Sequence, residues 1–188
     1  MTDERSDTAA FGFWVYLMTD LIVFATLFAA FFVLRGATFG GPAGRDIFRL
    51  PNALAETVIL LASSLASSLA MNAVLRRRVR ASLAWFGATF ALGASFLALE
   101  LSEFGRLIAQ GDGPTRSAFL SAFFTLVGAH GLHIAIGLLW MIAGMIQLAV
   151  RGPRERTVSR LDRLNLFWHF LDLVWIFIFT AVYLVSFA

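Results

Sequence analysis

A chain of 188 residues that is 59% hydrophobic, with 20 Phe and 5 Trp, is too apolar and too aromatic for an ordinary soluble domain. Its net charge of +3 includes 15 basic residues, all of them Arg and set between apolar runs, which is a membrane pattern and argues against a nucleic-acid partner. With no Cys, disulfides, thiolate metal sites and cysteine nucleophiles are excluded.

The opening MTDERSDTAA is acidic and polar, unlike the positive start of a signal peptide. Residues 1–10 are therefore expected to be a tail. Residues 11–188 are expected to form one all-α bundle of five transmembrane helices. The apolar segments run from about Phe11 to Leu34, Ala53 to Leu75, Leu83 to Phe104, Phe119 to Val150 and Leu164 to Phe187. Each has the roughly 20 residues needed to cross about 30 Å of hydrocarbon. Gly36, Gly40, Gly41, Pro42, Gly44 and Pro51 make the first connection a turn-rich loop. Arg76–Arg80, Gly111–Pro114 and Arg151–Arg163 separate the later segments.

Arginine placement sets the expected orientation. The tail, the second connection and the fourth share one side of a five-span bundle and hold ten arginines, against five on the other side. The positive-inside rule then puts the N-terminus in the cytoplasm and the C-terminus in the periplasm.

Several ionisable residues interrupt the apolar segments. Asp20 lies about nine residues into the first, roughly 13 Å deep from the arginine-rich side. Asp172 enters the fifth to a similar depth, and His169 shares its face at i, i+3. His133 falls near the middle of the fourth, with His130 one turn further toward the opposite side. Asp20, His133, His169 and Asp172 thus occupy a common slab, where carboxylate and imidazole can satisfy one another. Glu56, Glu100 and Glu103 form a second set near the other surface, where access to water is expected to lower the cost of a carboxylate. Small residues in the second segment (Ser63, Ser64, Ser67, Ser68) and the fourth (Gly128, Gly131, Gly137) point to close helix packing.

The histidines admit four uses. They could be axial ligands to a haem, metal ligands through HGLH and HFLD, part of a proton relay, or members of a hydrogen-bonded network that fixes helix register. Spacing alone leaves these open. No phosphate loop, nucleophile elbow or nucleotide signature is present.

The segments FGFWVYLMTDLIVFATLF, PNALAETVILLASS, LELSEF, SAFFTLVGAHGLHIAIG and LFWHFLDLVWIFIFTAVYLV together resemble subunit III of the haem–copper respiratory oxidases, in order and in spacing. The loop GGPAGRDIFRLP, the segment GPTRSAFLSAFF and an Asp at position 20 resemble the cytochrome bo-type ubiquinol oxidase branch. The resemblance implies that Asp20 is the family's carbodiimide-reactive helix acid. It places the family's His–Gly–Leu–His on His130–His133 and its Trp–His–Phe–x–Asp on Trp168–Asp172. It further implies an accessory, non-redox subunit of a proton-pumping terminal oxidase in the bacterial inner membrane. Such a subunit would pack on catalytic subunit I beside subunits II and IV and bind phospholipid. It would support assembly and sustained proton uptake, with haems, copper and the quinol site in subunit I and no cofactor, metal or catalytic residue of its own. A five-helix cytochrome c oxidase subunit III, a b-type haem anchor and a proton channel are the alternative expectations.

Overall fold

A computed structural model describes residues 2–42 and 44–187, and every regular element among them is helical. Helix α1 spans Thr2–Leu34, the single turn α2 Gly44–Ile47, α3 Leu50–Leu75, α4 Val79–Ala109, α5 Ala118–Arg151 and α6 Glu155–Ile178. The last continues through a π-helical stretch, Phe179–Leu184, into α7, Val185–Phe187. Five of these helices are long and apolar enough to cross a membrane.

The helices overrun the apolar segments. Helix α4 starts at Val79 rather than near Leu83 and ends at Ala109 rather than Phe104, and α6 starts at Glu155 rather than Leu164. Helix α1 extends through the polar residues expected to form a tail. Hydropathy marks only the part of a helix that lies in hydrocarbon. The flanking residues are largely polar or small, and arginines recur among them (Arg5, Arg80, Arg106, Arg156, Arg160 and Arg163), so the backbone ladder can continue past the hydrocarbon.

Local chemistry sets several ends. Pro51 sits in the first turn of α3, where its missing N–H costs nothing. Ser117 caps α5, its Oγ accepting from Leu120 N at 3.2 Å. Helix α4 closes with Asp112 N donating to Leu107 O and Gly111 N to Ile108 O, with Gly111 at φ +85°. Helix α3 closes with the same pair of bonds, Arg78 N to Ala73 O and Arg77 N to Val74 O, but Arg77 holds the left-handed position at φ +56°. That conformation costs an L-residue roughly 1–2 kcal/mol that glycine would not incur.

Helices α3, α4, α5 and α6 pack as a ring, and α1 leans on α5 and α6. Helix α6 is the most enclosed and α1 the least. Trp168, Trp175, Phe96, Phe123 and Tyr183 are fully buried at the centre. Trp14 and Tyr16 are exposed on α1, as expected of an interfacial aromatic belt.

Candidate functional site

Helices α3 and α6 run antiparallel, and a ladder of polar contacts joins them. Ser67 Oγ donates to Asn165 Oδ1 at 2.7 Å, Trp168 Nε1 to Ser63 Oγ at 3.0 Å, and Trp175 Nε1 to Thr57 Oγ1 at 3.1 Å. His169 bridges two hydroxyls, Nδ1 to Ser64 Oγ at 2.6 Å and Nε2 to Ser68 Oγ at 3.2 Å. In lipid the hydrophobic effect does not bring helices together, so small residues and bonds of this kind carry the association. The small residues of α3 pointed to packing; that their hydroxyls select tryptophan and histidine was not legible in their spacing.

The expected slab of Asp20, His133, His169 and Asp172 separates into two pairs, with no ion pair between them among the described residues. On the α1–α5 side, His133 Nε2 lies 3.6 Å from Asp20 Oδ2. His133 Nδ1 lies 2.7 Å from Ala129 O, and a carbonyl only accepts, so Nδ1 carries a proton. Nε2 therefore faces Asp20 either as a second N–H or as a lone pair, and attraction requires a proton between them. On the α3–α6 side, His169 Nδ1 lies 3.8 Å from Asp172 Oδ2, and Asp172 is buried with neither oxygen hydrogen-bonded among the described residues.

His130 belongs to neither pair. It is wholly buried on α5, donates from Nε2 to Leu171 O at 3.3 Å, and is flanked by Phe96 and Trp175. It ties α5 to α6 at the aromatic centre.

The second acidic set is enclosed, contrary to the expectation that it reaches water. Glu56, Glu100 and Glu103 are 2%, 3% and 8% exposed. The loop and the end of α6 fold over them. Glu103 accepts from Tyr183 Oη at 3.1 Å and pairs with Arg106 at 3.4 Å. Arg106 also donates to Ile47 O at 3.2 Å, fastening α2 onto α4. Glu100 lies so close to α5 that a Cβ on Gly131 would sit 2.5 Å from its Oε1, while its Oε2 has no hydrogen-bond partner among the described residues. Tyr183 lies within the segment LFWHFLDLVWIFIFTAVYLV but was not singled out there as a site residue. It comes from the π-helical stretch, a register change that often accompanies functional positions.

Among the described residues no group of three or more His, Asp or Glu is arranged to hold a metal. The site is a set of polar contacts, buried to partly exposed, linking the helices of the bundle. The family model for cytochrome c oxidase subunit III matches residues 2–187. The chain belongs to that family. It is 55% identical, over 97% of its length and 88% of the relative's, to a protein of Pseudomonas aeruginosa named cytochrome bo(3) ubiquinol oxidase subunit 3. A Pseudomonas putida protein of the same name is 51% identical over the same shares. A Bacillus protein named cytochrome c oxidase subunit 3 is 44% identical over 93% of this chain and 84% of that one. The chain is thus a subunit III of the haem–copper oxidases, a multi-pass protein of the bacterial inner membrane that works within a multi-subunit complex.

Proposed function

We propose that this subunit III serves a quinol-oxidising, proton-pumping oxidase as an accessory, non-redox component. It packs on subunit I beside subunits II and IV, binds phospholipid, and supports assembly and sustained proton uptake. Its N-terminus lies in the cytoplasm and its C-terminus in the periplasm. The observation that carries the quinol assignment is the pair of ubiquinol oxidase relatives at 55% and 51% identity. The accessory role is supported by the histidines, whose ring nitrogens are largely engaged within the bundle: His130 by Leu171 O, His133 by Ala129 O and Asp20, and His169 by Ser64 and Ser68. The haems, copper and quinol site then belong to subunit I.

Asp20 and Asp172 are the acids through which this role is tested. Removing one member of a buried pair costs about 3–5 kcal/mol in soluble proteins, and less in membranes. In assembled, haem-replete complexes carrying Asp20→Ala or Asp172→Ala, the initial quinol oxidase rate per haem should stay within a few-fold of wild type. Yield of complex should fall and activity should decay faster during turnover. Complete loss of the initial rate would place these residues in the chemistry itself. A complex that oxidises cytochrome c but not quinol would support the second reading, which the 44% identical Bacillus relative favours.

A further inference from the structure

Three carboxyl groups are enclosed together at the end of the bundle where α3 begins and α4 ends: Glu56, Glu100 and Glu103. They lie close enough to feel one another's charge, Glu100 that of Glu56 and Glu103, and Glu56 that of Glu103. Glu103 is well provided for. Its Oε1 pairs with Arg106, its Oε2 accepts from Tyr183 Oη, and Arg49, just before α3, attracts it as well. No ion pair among the described residues engages Glu56 or Glu100.

Glu100 is the least satisfied of the three. It occupies the space left by Gly131 on α5, where a Cβ would lie 2.5 Å from Oε1 and 3.0 Å from Oε2. Its Oε2 is buried with no hydrogen-bond partner among the described residues. His130, beside Gly131, turns to Leu171 O and is flanked by Phe96 and Trp175. An ionised carboxylate without a donor is strongly disfavoured away from water, and a second carboxylate beside it adds repulsion. A bound cation would remove both penalties. A metal ion does not fit, because no group of three or more His, Asp or Glu among the described residues is arranged to hold one. A proton needs one oxygen and no coordination shell.

We propose that Glu56, Glu100 and Glu103 form a proton-binding site, in which one proton is shared by Glu56 and Glu100 and exchanges with water at the Arg106 end. Arg106 is the route to water because its side chain is 27% exposed while the acids are enclosed. The proton arrives from water, forms an O–H bond on a carboxyl oxygen and leaves the same way, and no electron moves. Such a proton belongs to the pair of acids and not to either alone. The site uses neither member of the Asp20–His133 pair.

The test uses the intact oxidase complex, prepared with isotope-labelled glutamate. Infrared difference spectra between neutral and alkaline buffer detect protonated carboxyl groups by their carbonyl stretch. Wild type should show a band that moves with the glutamate label and shifts in heavy water. Glu100→Gln, which nearly keeps the side-chain volume, should abolish it. Glu56→Gln should shift it, because the proton loses its second carboxylate, and carries the test should Glu100→Gln not assemble. Glu155→Gln, at an exposed acid on α6, should leave it unchanged. Haem content shows which variants assemble. No glutamate band in wild type, or a band unchanged in the Glu100 and Glu56 variants, overturns the site. A band that appears only when sodium and potassium are replaced by a bulky organic cation shows an alkali-metal site and overturns the proton. A band that does not move in heavy water shows a sealed proton and overturns the exchange.

Discussion

Tyr183 Oη donates to Glu103 Oε2 at 3.1 Å, closing the end of α6 onto α4 across 80 residues of chain. Tyr183 is fully buried, so its hydroxyl has no water to replace this partner. Tyr183→Phe keeps the ring and deletes the bond. It should destabilise the bundle by about 0.6–2 kcal/mol, the range for polar contacts between membrane helices. Unfolding of the purified complex in denaturing detergent measures this, and an unchanged transition would show that Arg106 alone satisfies Glu103.

The bond between Trp168 and Ser63 lends itself to a double-mutant cycle. Trp168→Phe and Ser63→Ala each remove one partner from a fully buried contact. Their coupling should be favourable, about 0.6 kcal/mol. Strict additivity would mean that the indole is held by packing and not by the hydroxyl.

Accessibility separates the acids. Asp20 lies on α1, the least enclosed helix, and its side chain is 13% exposed, whereas Glu100 is pressed against the α5 backbone at Gly131. A hydrophobic carbodiimide entering from the lipid should therefore modify Asp20 first. Peptide mapping that finds the adduct chiefly on Glu56, Glu100 or Glu103 would reverse this order of access.

Topology can be read with single cysteines, since the native sequence has none. Arg160→Cys should be protected from an impermeant reagent in intact cells and Asp112→Cys should be labelled. The opposite pattern would invert the bundle. Either way the two sites should differ, because Asp112 precedes α5 and Arg160 follows it, at opposite ends of that helix.

The sequence by itself determined the number of helices long and apolar enough to cross a membrane, their approximate limits, the helices that carry Asp20, His133, His169 and Asp172, and the family. Hydropathy, rise per residue and motif spacing are properties of a chain read locally. Only the tertiary structure decided which polar groups meet. His133 finds Asp20 because α1 packs on α5, His169 finds Ser64 because α3 packs on α6, and His130 turns instead to the Leu171 carbonyl. It also reversed the reading of the second acidic set. Position near a helix end predicts contact with water, yet Glu56, Glu100 and Glu103 are enclosed because Tyr183, Arg106 and the α2 turn close over that end. Depth along a helix axis follows from residue number. The direction a side chain faces, and what covers it, depends on neighbours that lie far away in the chain.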